Sequence, residues 1–286
     1  MMNEDTKRRV DMKKKTNIDR RDFLKQLGIT AGGAVAAMAL KPLKVWADDT
    51  KPTVTPADDI RMTYRVQHGS GERISLLGFG MMRLPDNQEL VDELVDYAIA
   101  HGVNYFDTAP MYMGGQSEVL TGNTLSRFPR EKYHVATKMS NQNRRLWSYD
   151  DSKRMYDQSF ERLKVDYIDY YLLHSIGGGM ETLKGRFLDN GILDFLLKER
   201  EAGRIKHLGF SYHGDVRDFD WLLDRQDEYH WDFVQIQMNI LDWQHASIRQ
   251  GRRHDADAEY LYGKLASRNV PSRFASPTRW VASSVY

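Results

Sequence analysis

Four residues of the chain could together move a proton and polarise a carbonyl group: Asp107, Tyr112, Lys138 and His174. Tyrosine is a weak acid with an ordinary pKa near 10, and a close lysine ammonium favours the phenolate and is expected to lower that value. A carboxylate beside the lysine keeps the ammonium charged and in place. Histidine can donate a hydrogen bond to a carbonyl oxygen while the phenol supplies a proton. The set is suited to carbonyl reduction. Taken singly, each residue has a plainer use: Asp107 as a turn acid, Lys138 as a solvated charge, His174 as a hydrogen-bonded strand end, Tyr112 as a loop aromatic. Only their joint placement argues for chemistry.

That placement depends on the elements that carry them. Asp107 closes a strand-like run, and Tyr112 follows in a loop with Gly114 and Gly115. From Met62 onward, apolar runs of strand length alternate with amphipathic runs of helix length, the pattern of βα units on a parallel sheet. A short hairpin is expected over 62–74, then strands at 75–80, 103–107, 134–138, 168–174, 207–212 and 233–239. Helices are expected with an apolar face of Leu90, Leu94, Tyr97 and Ala98, then one carrying Met155, Phe160 and Leu163, then 192–201, 218–223 and 256–267. After the first strand, Leu77-Gly78-Phe79-Gly80-Met81 runs into Met82-Arg83-Leu84-Pro85, so the dinucleotide fingerprint G-x-G-x-x-G is incomplete and no helix follows it. This favours a (β/α)8 TIM barrel, whose open face would gather Asp107, Lys138, His174, Ser211 and Gln235 from successive strand ends.

In those motifs the chain resembles the aldo-keto reductase family. Phe106-Asp107-Thr108-Ala109-Pro110-Met111-Tyr112 is similar to its acid-to-tyrosine motif, Ala136-Thr137-Lys138-Met139 to its lysine segment, and Tyr170-Tyr171-Leu172-Leu173-His174-Ser175 to its histidine segment. The resemblance spans about Met62 to about Val270. It implies a catalytic tetrad of Asp107, Tyr112, Lys138 and His174, the cofactor NADPH (NADP), and a small-molecule carbonyl substrate. It further implies cofactor contacts at Gly80, Met81, Ser211 and Gln235, the last two on the nicotinamide carboxamide. Tyr212 stands where the family usually has asparagine.

The 286 residues include 41 basic and 40 acidic side chains, a balance that gives no sign of nucleic-acid binding. With no cysteine, the chain can build neither a disulfide nor a thiolate metal site. Histidines at H-x-H or H-E-x-x-H spacing are absent too, which argues against a metal-dependent sugar-isomerase-like barrel. Arg249, Arg252 and Arg253 read as a solvated charged loop rather than a phosphate site; Trp231, Trp243 and Met238 read as packing residues, with Trp243 a candidate for the substrate opening.

Residues 1–47 read as a signal peptide: Arg20-Arg21 before Phe23-Leu24-Lys25, then a weakly apolar run and a small-residue cleavage site at Ala47. The pattern resembles a twin-arginine signal, implying the twin-arginine export machinery as a partner and a periplasmic or exported destination, or a cytoplasmic one if the signal is not used. The apolar run is too short for a stable membrane span, which takes about 20 residues. Residues 48–61 form a polar linker and 62–270 the barrel. Only six strands are expected before the last helix. Residues 271–286, with Arg273, Pro277 and Arg279, make a poor central strand and read as an aberrant tail, as though a frameshift near codon 271 had replaced the natural end. A barrel so shortened would expose the edges of its first and sixth strands, be poorly soluble or hold NADPH weakly. The alternative function is then a catalytically impaired barrel acting as a binding protein or a non-functional fragment.

Overall fold

The computed structural model describes residues 62–67, 70–214, 216–237 and 258–275. A small antiparallel hairpin, β1 (Tyr64–Val66) and β2 (Arg73–Ser75), precedes a parallel sheet of seven strands in sequential order. The sheet comprises β3 (Phe79–Gly80), β4 (Tyr105–Asp107), β5 (His134–Met139), β6 (Ile168–Ile176), β7 (Ile205–Tyr212), β8 (Phe233–Gln237) and β9 (Ser272–Ala275). Between them run α1 (Gln88–Ala100), α2 (Gln116–Leu125), α3 (Tyr149–Leu163), α4 (Met180–Leu183) with a π-helical turn Lys184–Leu188, and α5 (Ile192–Glu201). Then come α6 (Val216–Leu223), α7 (Gln226–Tyr229) and α8 (Ala258–Ser267).

Side-chain contacts show that the sheet is rolled. Flat, with neighbouring strands about 4.8 Å apart, it would hold β4 and β8 roughly 19 Å apart and β4 and β9 roughly 24 Å apart. Instead Gln235 Nε2 of β8 lies 3.3 Å from Asp107 Oδ2 of β4, and the Arg273 guanidinium of β9 stands 4.5 Å over the Tyr105 ring of β4. The architecture is that of a TIM-like α/β barrel, with helices outside and a small buried cluster of Ile74, Tyr105, Ala136, Tyr170, Leu172 and Phe233 inside. The hairpin closes the end where the strands begin: Glu72 accepts from Tyr170 Oη (2.8 Å) and pairs with His207 Nε2 (2.7 Å).

Three expectations need correction. The seventh strand exists: Ser272–Ala275 pairs in parallel register with Val234–Gln237, so β8 is laddered on both sides and the exposed edge expected of the sixth strand is absent. Its pattern misleads because the inward-facing residue is Arg273, whose planar cation stacks on Tyr105, Tyr170 and Phe233 and so substitutes for an apolar side chain. The strand expected over 75–80 is two pieces, Arg73–Ser75 in the hairpin and Phe79–Gly80 in the sheet. In α1 the buried face is Val91, Val95 and Ala98, while Leu90, Leu94 and Tyr97 are exposed. Ala98 is on the buried face as expected; Leu90/Leu94 and Val91/Val95 both have helical spacing, and packing against the β3–β4 side selects the smaller, β-branched valines.

Asn87 caps α1 by accepting from the Leu90 N–H, Ser148 caps α3 by accepting from Asp151, and Gly102, at φ 86°, takes the left-handed turn after α1. Trp231 is a packing residue, its indole N–H donating to the Leu222 carbonyl at 3.0 Å. Among the described residues no helix is long and apolar enough to cross a membrane. The leader and linker (1–61), Met238, Trp243, the arginines at 249, 252 and 253, and residues 276–286 lie outside the described residues.

Candidate active site

The site is built at the carboxyl ends of β4 to β8, where parallel register brings residues from distant parts of the chain level with one another. Asp107 is the last residue of β4 and pairs with Ala136; Lys138 in β5 pairs with Leu172, two residues before His174 in β6. Ser211 of β7 and Gln235 of β8 are direct register partners. All five side chains come from one rim.

Lys138 is the centre of this group. The residue is 1% exposed, and its ammonium lies 2.5 Å from Asp107 Oδ1, donates to the Thr108 carbonyl at 2.7 Å, and sits 5.1 Å from the centroid of the Tyr112 ring. A buried ammonium of this kind needs a counter-ion, and Asp107 is it. Burial alone would make the lysine give up its proton, but the Asp107 carboxylate and the Tyr112 phenol outweigh that and hold its pKa raised. Asp107 is steadied in turn, because its second oxygen accepts from the Gln235 amide.

Tyr112 is delivered by a tight turn. Met113 (φ 50°) and Gly114 (φ 64°) take left-handed backbone conformations, and Gly115 (φ 95°) leads into α2, so the chain reverses within a few residues of β4. The phenol stands edge-on to His174, with ring centroids 5.7 Å apart and planes at 84°. Its pKa departs from the expected direction. Burial raises it above the ordinary value, and the pull of Lys138 toward the phenolate only partly opposes this. The group is a protonated phenol at neutral pH, poised to give a proton.

His174 is 5% exposed, and burial, with the Lys138 and Arg186 cations and the nearby His213 adding to it, holds its pKa well below that of free imidazole. It is neutral in the working range. Ser140 Oγ contacts its Nδ1 at 2.7 Å, and its carbonyl accepts from Arg186 Nη2 at 2.6 Å. Sequence reasoning passed over Ser140 and Arg186. Ser140 could have been found by its period-two spacing from Lys138; Arg186, on the turn after α4, carries no local signal.

The remaining expected residues are placed as follows. Ser211 Oγ accepts from the Ser175 N–H at 2.8 Å, which leaves its hydroxyl hydrogen to be donated. Gln235 spends its amide nitrogen on Asp107, leaving its carbonyl oxygen as an acceptor. A donor and an acceptor on adjacent strands fit the oxygen and nitrogen of a primary carboxamide. Gly80 lies at the rim with open space where a Cβ would be. Met81 is buried in the α1 core; its N–H donates to the Asp107 carbonyl (2.8 Å) and its carbonyl accepts from Ser117 Oγ (2.7 Å), so both its main-chain polar groups are already partnered. Tyr212 turns away from the rim: its hydroxyl donates to the Gly214 carbonyl and its ring meets Phe219 at 5.3 Å.

The chain is similar to known proteins. A probable aldo-keto reductase of Glycine max is 31% identical over 155 residues, covering 49% of this chain and 42% of that one. An L-galactose dehydrogenase of Arabidopsis thaliana is 29% identical over 175 residues, covering 58% and 53%. The chain thus spans about half the length of the curated relatives it matches. A Klebsiella pneumoniae aldo/keto reductase solved with NADP and acetate shares the fold, with a TM-score of 0.54 at 21% identity over 74% of this chain and 67% of that one. The model of the aldo/keto reductase family matches residues 76–256, the span that holds the whole rim from Gly80 to Gln235, and the chain belongs to that family.

Proposed function

We propose that this protein is an oxidoreductase that reduces a small aldehyde or ketone with NADPH, using Tyr112 as the proton donor. One observation carries the reading: four side chains from three successive βα units, Asp107 and Tyr112 sharing the first, converge so that the Tyr112 phenol lies between a buried lysine paired with Asp107 and the His174 ring. His174 donates a hydrogen bond to the carbonyl oxygen and orients it. Tyr112 passes its proton to the same oxygen as negative charge develops there, and Lys138, held by Asp107, stabilises the phenolate left behind.

NADPH, when bound, supplies the hydride. The choice of cofactor rests on the donor–acceptor pair of Ser211 and Gln235, which suits a carboxamide, and on the Klebsiella relative solved with NADP. Gly80, with nothing where its side chain would be, allows close approach of a flat ligand to the β3 rim. Export by the twin-arginine machinery to the periplasm completes the proposal, supported by Arg20-Arg21 followed by Phe23-Leu24-Lys25 and an apolar run. Fusing residues 1–47 to a reporter tests it: export that persists when both arginines become lysine would sink that part.

For the enzyme itself, NADPH oxidation is followed with a panel of aldehydes, ketones and aldoses, the last chosen because one relative is an L-galactose dehydrogenase. Wild-type turnover that drops on the order of 10²-fold or more in Tyr112→Phe supports the reading. Equal rates in the two proteins would remove the tetrad mechanism, whereas no turnover in the wild type would leave the barrel as a non-catalytic binding protein.

A further inference from the structure

Behind His174 lies a cation with no carboxylate partner among the described residues. The Arg186 guanidinium is 3% exposed, and each of its nitrogens donates to a neutral oxygen: Nη2 to the His174 carbonyl (2.6 Å), Nη1 to the Ser175 carbonyl (3.1 Å), and Nε to Asn141 Oδ1 (3.2 Å). Asn141 is itself held, donating to the Arg186 carbonyl at 2.9 Å and to Ser152 Oγ at 3.0 Å. Burying a lone charge is costly, and burial brings the pKa of this arginine down to about 10. Such a group persists where it does something a neutral side chain cannot. What Arg186 does is tie the end of β6 to the end of β5.

The segment so tied is strained. Ser175, directly after His174, has φ of 60°, a left-handed conformation that a side-chain-bearing residue adopts only when its surroundings demand it. Its N–H is taken by Ser211 and its carbonyl by Arg186, so both ends of the unusual residue are fixed. His174 therefore cannot swing with its backbone.

Rotation and proton placement within the ring are fixed from another side. A neutral imidazole has one donor and one acceptor nitrogen. Ser140 Oγ lies 2.7 Å from His174 Nδ1, and its only other acceptor among the described residues, the Lys138 carbonyl, is at 3.5 Å, the limit for a hydrogen bond. The serine hydrogen goes to the near partner. Nδ1 then accepts, and the ring proton sits on Nε2, away from Ser140. Lys138, Arg186 and the exposed His213 all oppose a second proton on the ring.

We propose that Ser140 and Arg186 are positioning residues for His174, Ser140 by donating to Nδ1 and fixing the Nε2–H tautomer, Arg186 by pinning the main chain of His174 and Ser175 so that this N–H meets the substrate oxygen. The proposal rests on the reductase reading, but its central claim concerns a tautomer that exists without turnover. The alternative arrangement, with the proton on Nδ1 and shared with Ser140, would present a bare nitrogen to the substrate oxygen and could not donate.

The test is nitrogen NMR of the full chain with labelled histidine, the His174 signals being assigned by their loss in His174→Gln. In wild type the proton is expected on Nε2 between pH 6 and 8. Ser140→Ala is expected to give a mixture of tautomers and a kcat about tenfold lower, the worth of roughly one hydrogen bond, with KM for NADPH unchanged. Ser140→Thr is expected to restore both readings, and Arg186→Lys to lower kcat while leaving the tautomer on Nε2. A wild-type proton on Nδ1, or a Ser140→Ala protein whose tautomer and kcat match wild type, would overturn the proposal. Should Ser140→Ala fail to fold, the wild-type tautomer and Ser140→Thr decide. A wild type that carries the Nε2 proton yet shows no turnover on any substrate would count against the reductase reading and leave the tautomer assignment standing.

Discussion

Lys138 and Asp107 form a buried ion pair, Nζ to Oδ1 at 2.5 Å, and the lysine side chain is only 2% exposed against 16% for the aspartate. Lysine is thus the member of the pair that depends on its partner. Replacing Asp107 by asparagine leaves an uncompensated ammonium beside the phenol, a change that in buried pairs costs about 3–5 kcal/mol. Asp107→Asn is expected to unfold at lower denaturant and to lose most of its kcat. Denaturation midpoints and initial rates check both, and a variant as stable as wild type would show that water reaches Lys138.

The pH dependence follows from two opposite shifts. Tyr112 is raised by burial, and it acts in its protonated form, so reduction loses its donor only as pH rises past the ordinary phenol value. His174 is held well below free imidazole and acts in its neutral form. The kcat profile is therefore expected to be flat from about pH 6.5 to about pH 9, with no inflection near the ordinary histidine value of about 6.5. An inflection there, absent in His174→Gln, would contradict the neutral histidine. In Lys138→Met, a cation that favours the phenolate is gone and the alkaline limb moves further up.

Much of this site was legible beforehand, for a physical reason. In a parallel barrel the carboxyl end of every strand points to one face, so Asp107, Lys138, His174, Ser211 and Gln235 could be gathered from strand positions alone. The direction of the Tyr112 shift was not legible, because it depends on how deeply the phenol is buried. Of the partners of His174, Ser140 had a signal in its period-two spacing from Lys138, whereas Arg186, 12 positions from the histidine, is brought there by packing alone. β9 was misjudged since an inward arginine breaks the apolar pattern while stacking on three rings. On α1, Ala98 is buried as expected, but Leu90 and Leu94 were taken for Val91 and Val95, their neighbours in sequence, because both pairs repeat at helical spacing.

Acid stability is expected to turn on Glu72. Its hydrogen bond from His207 is the main reason its pKa falls to about 2 from an ordinary 4.5, with Tyr170 adding to the effect against burial. The folded value is the depressed one. The stabilisation is therefore present above about pH 4.5 and is lost as pH falls toward 2. Glu72→Gln removes this term, so its unfolding free energy should lie below that of wild type at pH 7 and converge with it in acid. Urea titrations at pH 7 and pH 3 measure the difference; an equal gap at both would show that Glu72 acts by packing alone.

The turn that delivers Tyr112 depends on a close helix crossing. A Cβ on Gly122 of α2 would lie 2.0 Å from the Arg162 carbonyl of α3, and rigid backbone cannot yield as a flexible side chain can. Near this crossing Glu118, fully buried, binds Arg162 at 2.8 Å and accepts from Thr137 of β5 at 2.6 Å, so a shift of α2 would be felt beside Lys138. Gly122→Ala is expected to cost about 1–3 kcal/mol or more, as overpacking does, and to lower kcat as well. Calorimetry and rates on the purified variant test this.

Arg273 offers the sharpest test of the seventh strand. Its guanidinium stands 4.1 Å from the Tyr170 ring centroid and 4.5 Å from that of Tyr105, and Nη2 donates to Gln67 Oε1 at 2.7 Å. Three aromatic faces and one amide compensate a charge that would otherwise be costly inside a barrel. Planarity matters here: a guanidinium can stack on several rings and keep an in-plane hydrogen bond, whereas an ammonium cannot. Arg273→Lys should therefore destabilise nearly as much as Arg273→Ala, by roughly 1–3 kcal/mol on the scale of a desolvated cation–π contact plus a lost hydrogen bond. Were lysine to restore full stability, charge alone would suffice and the stacking would be incidental. Were neither variant to differ from wild type, Ser272–Ala275 would not be seated against β8 in solution.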